Sequence, residues 1–283
     1  MFRRGDGQGA PVTADRPGTR VAACWMGVPE GAIRIARPHA IPAKEQPNAH
    51  DHDGFPILPG KIDQAKSIPA MFQKRPDEYR RSRERSGVTL ERVFLQRTPD
   101  GDLAVVRLEA TKPIAEVLAS PLKSDLPIDR DFARMVKEIH GVDLAAPPPS
   151  APPEVLGHWQ DPNVTKRLPG LAFAVPTLPG RTAAGRAFVR EAFEARRDEL
   201  TASRRALKGS RESVTLQPTP MGDLICVYVE GEDPVAANRG FASSRSPYDV
   251  WFKGQLTTLF PPQIDFDKPV PPNEQIFSVP PLG

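Results

Sequence analysis

The sequence predicts an α+β fold made of two consecutive units, each with the order strand, helix, strand, strand, helix, strand. The first observation is that residues 82–109 and 203–230 resemble each other, sharing Leu-Gln, Thr-Pro and Gly-Asp-Leu at an offset of 121 residues. The second is an apolar run ended by Leu-Pro-Gly before each copy, and the third is a proline-rich stretch between the copies. This element order is the split βαβ, or ferredoxin-like, arrangement.

The first strand of each unit is the apolar run before Leu-Pro-Gly, within residues 55–60 and 171–180. A helix follows in each unit. In the second unit it is predicted over residues 182–207, because small and apolar residues recur on one face. In the first unit Pro69 and Pro76 interrupt the pattern and predict a kink or two shorter helices.

A hairpin follows, with the loop Thr-Pro-Asp-Gly-Asp in the first unit and Thr-Pro-Met-Gly-Asp in the second. Proline fixes a negative φ and glycine permits a positive φ, as tight hairpins require. A register centred on Asp100-Gly101 places alternate apolar residues of both strands on one face, which we expect to pack on helices. These residues are Val93, Leu95, Val106 and Leu108, with Val214, Leu216, Val227 and Val229 in the second unit.

A second helix is predicted after Pro113 or Pro234, and a last strand at residues 142–144 or 264–266. The resulting division of the chain has five parts. They are a mostly disordered leader (1–50), a first ferredoxin-like unit (51–145), a proline-rich linker (146–169), a second ferredoxin-like unit (170–267) and a proline-rich tail (268–283).

The composition excludes several classes of protein. Basic residues number 38 and acidic residues 35, so the net charge of +3 gives no electrostatic footprint for nucleic acid. No apolar run approaches the roughly 18 residues of a membrane span, and the first residues lack the apolar core of a secretory signal. Cys24 and Cys226 are the only cysteines, so no disulfide framework is expected. We therefore expect a cytoplasmic protein without nucleic-acid or membrane partners.

Two such units with free edge strands are expected to pair within one polypeptide. Here the chain resembles the dimeric α+β barrel superfamily, in which two ferredoxin-like units join their sheets into one barrel. The resemblance rests on the element order over residues 55–144 and 171–266. It implies one intramolecular α+β barrel in a group that includes cofactor-free monooxygenases, haem-degrading enzymes and lactone isomerases. The Leu-Pro-Gly and Thr-Pro-x-Gly-Asp signatures match an uncharacterised branch, so no catalytic residues carry over.

The face of each hairpin opposite the helices carries a mixture of apolar and polar residues, which is typical of a small-molecule cavity. The hypothesis is that six polar side chains line a central cavity between the sheets. They are Gln96, Arg107, Glu109, Gln217, Tyr228 and Glu230. The alternative is that Arg107 and Glu109 face water near strand ends.

Three further residues are candidates for catalysis. Glu91 and Glu212 share the helix-facing parity, where a carboxylate can act as a general base; the favoured alternative is an ion pair with Arg83 or Arg204. His140 lies at a predicted helix end and is a candidate for catalysis or haem ligation, while stabilisation of the helix dipole alone also explains it.

The sequence carries no well-marked enzyme motif, such as a P-loop, a G-x-S-x-G elbow or an H-E-x-x-H pair, and whether the protein is an enzyme stays open. We expect no cofactor and no metal site. The favoured interpretation is a small-molecule-binding protein or cofactor-independent enzyme of the monooxygenase or isomerase kind. The alternative is a non-catalytic interaction or assembly protein with the barrel as scaffold. The oligomeric state, monomer or homo-oligomer, is left undetermined.

Overall fold

Both halves of the chain have the same order of elements in the computed structural model, which describes residues 49–146 and 150–279. The first half contains β1 (Ala49–Ile57), α1 (Ile62–Lys74), α2 (Pro76–Ser86), β2 (Val88–Thr98), β3 (Gly101–Ala110), α3 (Ile114–Ala119), α4 (Pro127–His140) and β4 (Glu154–Gln160). The second half contains β5 (Gly170–Pro176), α5 (Thr182–Arg190), α6 (Arg197–Ala206), β6 (Gly209–Thr219), β7 (Gly222–Gly231), α7 (Pro234–Ser243), α8 (Pro247–Leu259) and β8 (Glu274–Val279). The predicted leader lies outside the described residues up to residue 48.

The strands form two four-stranded sheets in which every pair is antiparallel, with the orders β1-β3-β2-β8 and β4-β6-β7-β5. The predicted α+β fold with two ferredoxin-like units is confirmed. The fourth strand of each sheet is exchanged between the halves. β4 is the last strand of the first half but pairs with β6, and β8 is the last strand of the second half but pairs with β2.

The strands predicted at residues 142–144 and 264–266 are absent, and this prediction was wrong. Both segments lie in turns or extended backbone just after a helix, and neither has the roughly five or six residues of a typical strand. The edge strands come instead from the segments predicted as linker and tail. β4 pairs with the free edge of β6, and β8 pairs with the free edge of β2. Both strands lie next to proline-rich segments, which is why the sequence pattern did not predict them.

The hairpin register differs from the prediction by a small shift. Thr98 pairs with Gly101 and Val93 with Val106, so the two-residue loop is Pro99-Asp100 rather than Asp100-Gly101. Gly101 has a φ of 133°, a conformation that glycine adopts without strain. The shift moves the partner of each residue by two positions, which keeps every side chain on its predicted face.

The helices are more divided than predicted. The first helix of the first half breaks before Pro76, as expected, while Pro69 lies inside α1. In the second half a π-helical turn, Glu191–Ala195, separates α5 from α6. The second helix of each half is also split, and α4 and α8 each begin at a proline, whose fixed φ suits the first helical position. No helix in the described ranges has the length and apolar content needed to cross a bilayer.

The core has three layers. Each sheet packs its apolar face on the helices of its own half, as predicted, and the other faces of the two sheets pack against each other. The layer between the sheets contains Phe94, Val105, Ala172, Ala174, Cys226 and Tyr228. The thiol of Cys226 is buried, and its Sγ lies 3.6 Å from Gln217 Oε1. The predicted faces of both hairpins are therefore confirmed, and the layer between the sheets joins the halves.

The exchanged strand β8 is expected to stabilise the first half through Phe277. The ring centroid of Phe277 lies 5.4 Å from that of Phe72 and 5.8 Å from that of Tyr79. Because the substitution Phe277→Ala removes these contacts from a half-buried site, we expect a loss of about 2–3 kcal/mol in the free energy of unfolding, measured with urea. Met221→Ala, at an exposed hairpin tip, is the control and should change stability by less than about 0.5 kcal/mol. Equal effects of the two substitutions would show that β8 is dispensable.

Candidate functional site

Two glutamine side chains join the sheets by pairing with the backbone of an edge strand in the other half. The Gln217 amide accepts a hydrogen bond from Gly54 N at 2.8 Å and donates to Gly54 O at 3.1 Å. Gln96 does the same with Ala174, at 2.7 Å in both directions. A side-chain amide has one acceptor and two donors, so it can replace a neighbouring strand at one residue. These two predicted site residues therefore lie between the sheets with their amides bonded to protein backbone.

The other four predicted ligand-binding residues lie in a buried charged network between the sheets. Arg107 donates to Glu109 at 2.6 Å, and its guanidinium carbon lies 5.0 Å from the centre of the Tyr228 ring. Tyr228 donates to Glu230 at 2.7 Å. The structure thus brings Arg107, Glu109, Tyr228 and Glu230 together at one end of the layer between the sheets.

Three arginines that the sequence reasoning missed complete this network. Arg92 donates to Tyr228 at 2.5 Å, and Arg211 donates to Glu230 at 2.7 Å. Arg167, from the loop between β4 and β5, bridges Glu109 and Glu230. Arg92 and Arg211 share the parity of the predicted residues and could have been found by extending each strand pattern. Arg167 lies in a loop without periodicity and gave no such signal.

The network keeps Glu230 charged although it is almost fully buried. Burial alone would raise its pKa, but the hydrogen bond from Tyr228 and the nearby guanidinium groups hold the pKa below its ordinary value. Burial and the Glu230 charge raise the pKa of Tyr228, so its hydroxyl stays protonated and donates. The arrangement is a buried ionic cluster that ties β2, β3, β6 and β7 to the loop before β5.

These contacts exclude one of the two interpretations of the hairpin faces that lie between the sheets, and leave the other as a prediction. Arg107 and Glu109 are 2% and 6% exposed, so the alternative that they face water is wrong. The six polar side chains contact each other and the backbone directly across the two sheets. Their role as ligand-binding residues stays a prediction.

The larger cavity lies elsewhere, between the second sheet and helices α5 to α8. Its volume is about 180 Å³, and its wall is almost entirely apolar. Residues that define it include Trp159, Phe188, Phe193, Val227, Phe241 and Phe260. The π-helical turn forms part of the wall through Phe193, and a Cβ atom on Gly157 of β4 would lie 2.8 Å from that ring. Only glycine therefore lets the exchanged strand approach this turn.

The wall of this cavity also carries charged residues, among them Arg211 and Glu230 of the network, and at one end a buried ion pair. Arg204 Nη2 lies 3.2 Å from Glu212 Oε1, its Nε contacts the second carboxylate oxygen, and its Nη1 donates to Ser203 at 3.0 Å. Ser203 in turn donates to Asp249 at 2.6 Å. The favoured interpretation of Glu212 as the partner of Arg204 is confirmed, and its role as a general base stays a prediction.

A second cavity, of about 120 Å³, occupies the equivalent place in the first half. Glu91 lies on its wall and forms the predicted ion pair with Arg83, Nη1 to Oε2, at 3.4 Å. The same oxygen of Glu91 accepts a hydrogen bond from Tyr79 at 2.9 Å. Burial raises the pKa of Tyr79, and the charge of Glu91 raises it further. The Tyr79 hydroxyl therefore stays protonated and donates to Glu91. As with Glu212, a catalytic role for Glu91 stays a prediction.

His140 ends α4 and lies on the wall of this first-half cavity. Its Nδ1 lies 2.9 Å from the carbonyl oxygen of Pro56, and because a carbonyl only accepts, Nδ1 carries the proton. Burial lowers the pKa of His140, against the opposing effect of this hydrogen bond. The ring is therefore neutral at pH 7, with Nε2 unprotonated, and its catalytic role stays a prediction.

Comparison with known proteins adds little. No protein-family model matches the chain, and no curated protein matches it. One similar solved structure is a "Putative monooxygenase" from Fusobacterium nucleatum subsp. nucleatum, with a TM-score of 0.47 and 10% sequence identity. The similarity covers 82% of this chain and 92% of that one. At this level it carries no argument about function.

The glutamine amides are expected to be essential for joining the halves. Gln217→Met keeps the length of the side chain but leaves the buried N–H and C=O of Gly54 without this partner. We expect a loss of about 2–4 kcal/mol in the free energy of unfolding, since each unsatisfied buried group costs about 1–3 kcal/mol. The exposed helix residue Gln73 supplies the control, Gln73→Met. Denaturant unfolding that fails to separate the two variants would contradict the role of the amide.

Because of His140, we expect the free energy of unfolding to fall as the pH is lowered through about 6.5. Its pKa is lower in the folded protein than the ordinary value of 6.5, so the unfolded chain takes up a proton first and is favoured as pH falls through 6.5. In His140→Gln, an amide can still donate to the Pro56 carbonyl but does not titrate. Urea unfolding at pH 8 and pH 5.5 should show a larger loss of stability in the wild type than in the variant. Equal losses would mean that His140 is not buried in a neutral state.

Proposed function

We propose that this protein binds an apolar small molecule in the second-half cavity, between β4-β6-β7-β5 and helices α5 to α8. The proposal rests on one observation, a cavity of about 180 Å³ whose lining is mostly apolar. Protein interiors are packed to the density of organic crystals and contain few voids larger than a water molecule. An apolar cavity of about 150 Å³ in another protein stays dry and binds benzene. This one is large enough for a molecule of similar or somewhat greater size.

Energetics support an occupant. Removal of apolar surface from water stabilises by about 25 cal/mol per Å². An apolar molecule in this cavity would remove both its own surface and the apolar wall from water.

The local backbone supports a functional cavity as well. A π-helical turn inside a longer helix is rare and is frequently found at functional sites. Here it places Phe193 on the cavity wall, against Gly157 of the exchanged strand. Two independent irregularities, an exchanged strand and a π turn, thus meet at this cavity.

The polar end favours binding over chemistry. Arg204 and Glu212 use their donors and acceptors on each other and on Ser203, which leaves the carboxylate bound to a fixed cation. We infer that this pair closes one end of the cavity. A cofactor-independent enzyme of the monooxygenase or isomerase kind would need a polar group of the cavity wall to act on the bound molecule.

We also infer that the halves arose by repetition of one unit, as in an intramolecular member of the dimeric α+β barrel superfamily. Matching contacts support this. Ser82 donates to Asp129 at 2.6 Å in the first half, as Ser203 does to Asp249 in the second. The backbone bond from Leu58 to α4 also recurs in the second half at the same length of 2.8 Å, from residue 178 to the end of α8.

Filling the cavity should remove binding without harming the fold. Gly185 of α5 lies on the cavity wall, and a Cβ atom there would meet nothing within 4 Å. In Gly185→Leu the new side chain occupies the cavity, while replacing a helical glycine stabilises by up to about 1 kcal/mol. Titration calorimetry with toluene should show binding to the wild type and at least about tenfold weaker binding to the variant.

The matched control is Gly254→Leu. Gly254 lies in α8, is exposed, and also has open space around its Cβ position, but it is not part of the cavity wall. This variant should gain similar helix stability and bind toluene like the wild type. If the wild type binds neither toluene nor any molecule retained on purification and detected by native mass spectrometry, the proposal fails. The alternative of a non-catalytic scaffold would then be preferred.

A further inference from the structure

We propose that the first-half cavity is a second binding site of different chemistry, which takes an apolar molecule carrying a neutral carbonyl oxygen hydrogen-bonded to Arg83. The cavity of about 120 Å³ is walled mainly by apolar side chains from β2, β3 and the surrounding helices. Arg83, Glu91 and His140 supply polar groups on the same wall. The site is separate from the second-half cavity, so it stands or falls independently of the function proposed above.

The first observation is that Arg83 has donors to spare. Its Nη1 lies 3.4 Å from Glu91 Oε2, and its Nε is buried without a hydrogen-bond partner among the described residues. The side chain is only 12% exposed, so water does not readily satisfy it. Buried polar groups are nearly always hydrogen-bonded in native proteins, and an exception calls for a reason such as a ligand.

The second observation is that every guanidinium nitrogen of the equivalent arginine in the other half is hydrogen-bonded. Arg204 uses all three of its nitrogens, two on Glu212 and one on Ser203. Without a competing donor, this arginine–glutamate pair therefore forms a two-point contact, as Arg204 does with both oxygens of Glu212.

The third observation explains the difference. Tyr79 donates to Glu91 at 2.9 Å, and the residue 121 positions later is Leu200, which has no polar group. The tyrosine hydroxyl occupies the carboxylate oxygen that Arg83 would otherwise bind closely. This one residue difference between the halves thus keeps Arg83 from making the two-point contact that Arg204 makes.

The charges on the wall select a neutral ligand. Glu91 lines the cavity and lies 3.4 Å from Arg83, so a carboxylate group on the ligand would compete with Glu91 for one guanidinium and be repelled by the Glu91 charge. His140 adds no positive charge at pH 7, because its pKa is lowered by burial. A ketone, ester or lactone oxygen accepts from Arg83 without this repulsion, and the apolar wall holds the rest of the molecule.

The experiment compares three probes of equal chain length by NMR of methyl groups. Hexan-2-one should shift the methyl signals of Val93 and Val106, which line this cavity, whereas hexane and hexanoate should bind at least about tenfold more weakly. Signals of Val227 report on the other cavity and identify any binding there. Tighter binding of hexanoate than of the ketone, or ketone shifts confined to Val227, would overturn the proposal.

Two variants test the arginine. Tyr79→Phe keeps the aromatic ring but releases Glu91, so Arg83 should close on it as Arg204 does on Glu212, and affinity for hexan-2-one should fall about tenfold. Arg83→Met removes the donor, and affinity should fall by a similar factor. Arg80→Met, on the exposed face of α2, is the control and should bind like the wild type. Unchanged affinity in Tyr79→Phe, which retains the packing, would rule out the role of Arg83 even if Arg83→Met does not fold.

Discussion

The architecture depends on the pairing of two glutamine amides with the edges of β5 and β1. An edge strand that faces another sheet has N–H and C=O groups that point into protein, and leaving them unpaired is costly. Gln96 and Gln217 solve this by presenting one donor and one acceptor to a single residue of the opposite half. Asn273 extends the pairing by donating to the carbonyl of Ala172 on β5 at 2.6 Å. The two sheets can therefore meet face to face without a continuous ladder between them.

A second constraint follows from the first. The layer between the sheets is filled by direct contacts, including an ionic cluster, and the two cavities described above lie on the outer side of each sheet, beneath the helices. Polar residues thus join the halves, and the apolar residues that would form the core of an ordinary ferredoxin-like unit line the cavities. The two cavities differ at their polar ends, where Tyr79 in one half corresponds to Leu200 in the other.

The sequence predicts the fold class and the direction of the hairpin side chains, because alternation and turn chemistry are local signals. Val93 and Leu95 face the helices, and Phe94 faces the other sheet, as the pattern requires. The exchanged strands could not be predicted, since β4 and β8 lie in proline-rich surroundings and their pairing is decided by free edges far away in sequence. The ion pairs of Glu91 and Glu212 followed from repetition of the arginine and the glutamate together.

The cavities could not be predicted from the sequence pattern for a different reason. A residue such as Val227 reads as core in the sequence, and only the distance between sheet and helices decides whether core or void results. That distance is set here by irregular features, a π-helical turn and a glycine against it, which have no periodic signature. The arrangement of Arg92, Arg211 and Arg167 around Glu230 likewise depends on the packing of the two sheets, which the sequence pattern does not predict.

The exchange of end strands also governs how this polypeptide can be made. β2 pairs with β8, which follows the whole second half in the chain, so the first sheet cannot be completed during synthesis of its own half. Contacts between residues so distant in sequence slow folding, because the entropy of closing the loop is lost before the contact forms. Until β8 has been synthesised, the edge of β2 is open to other strands, and this nascent half is the stage at which a chaperone would be most useful.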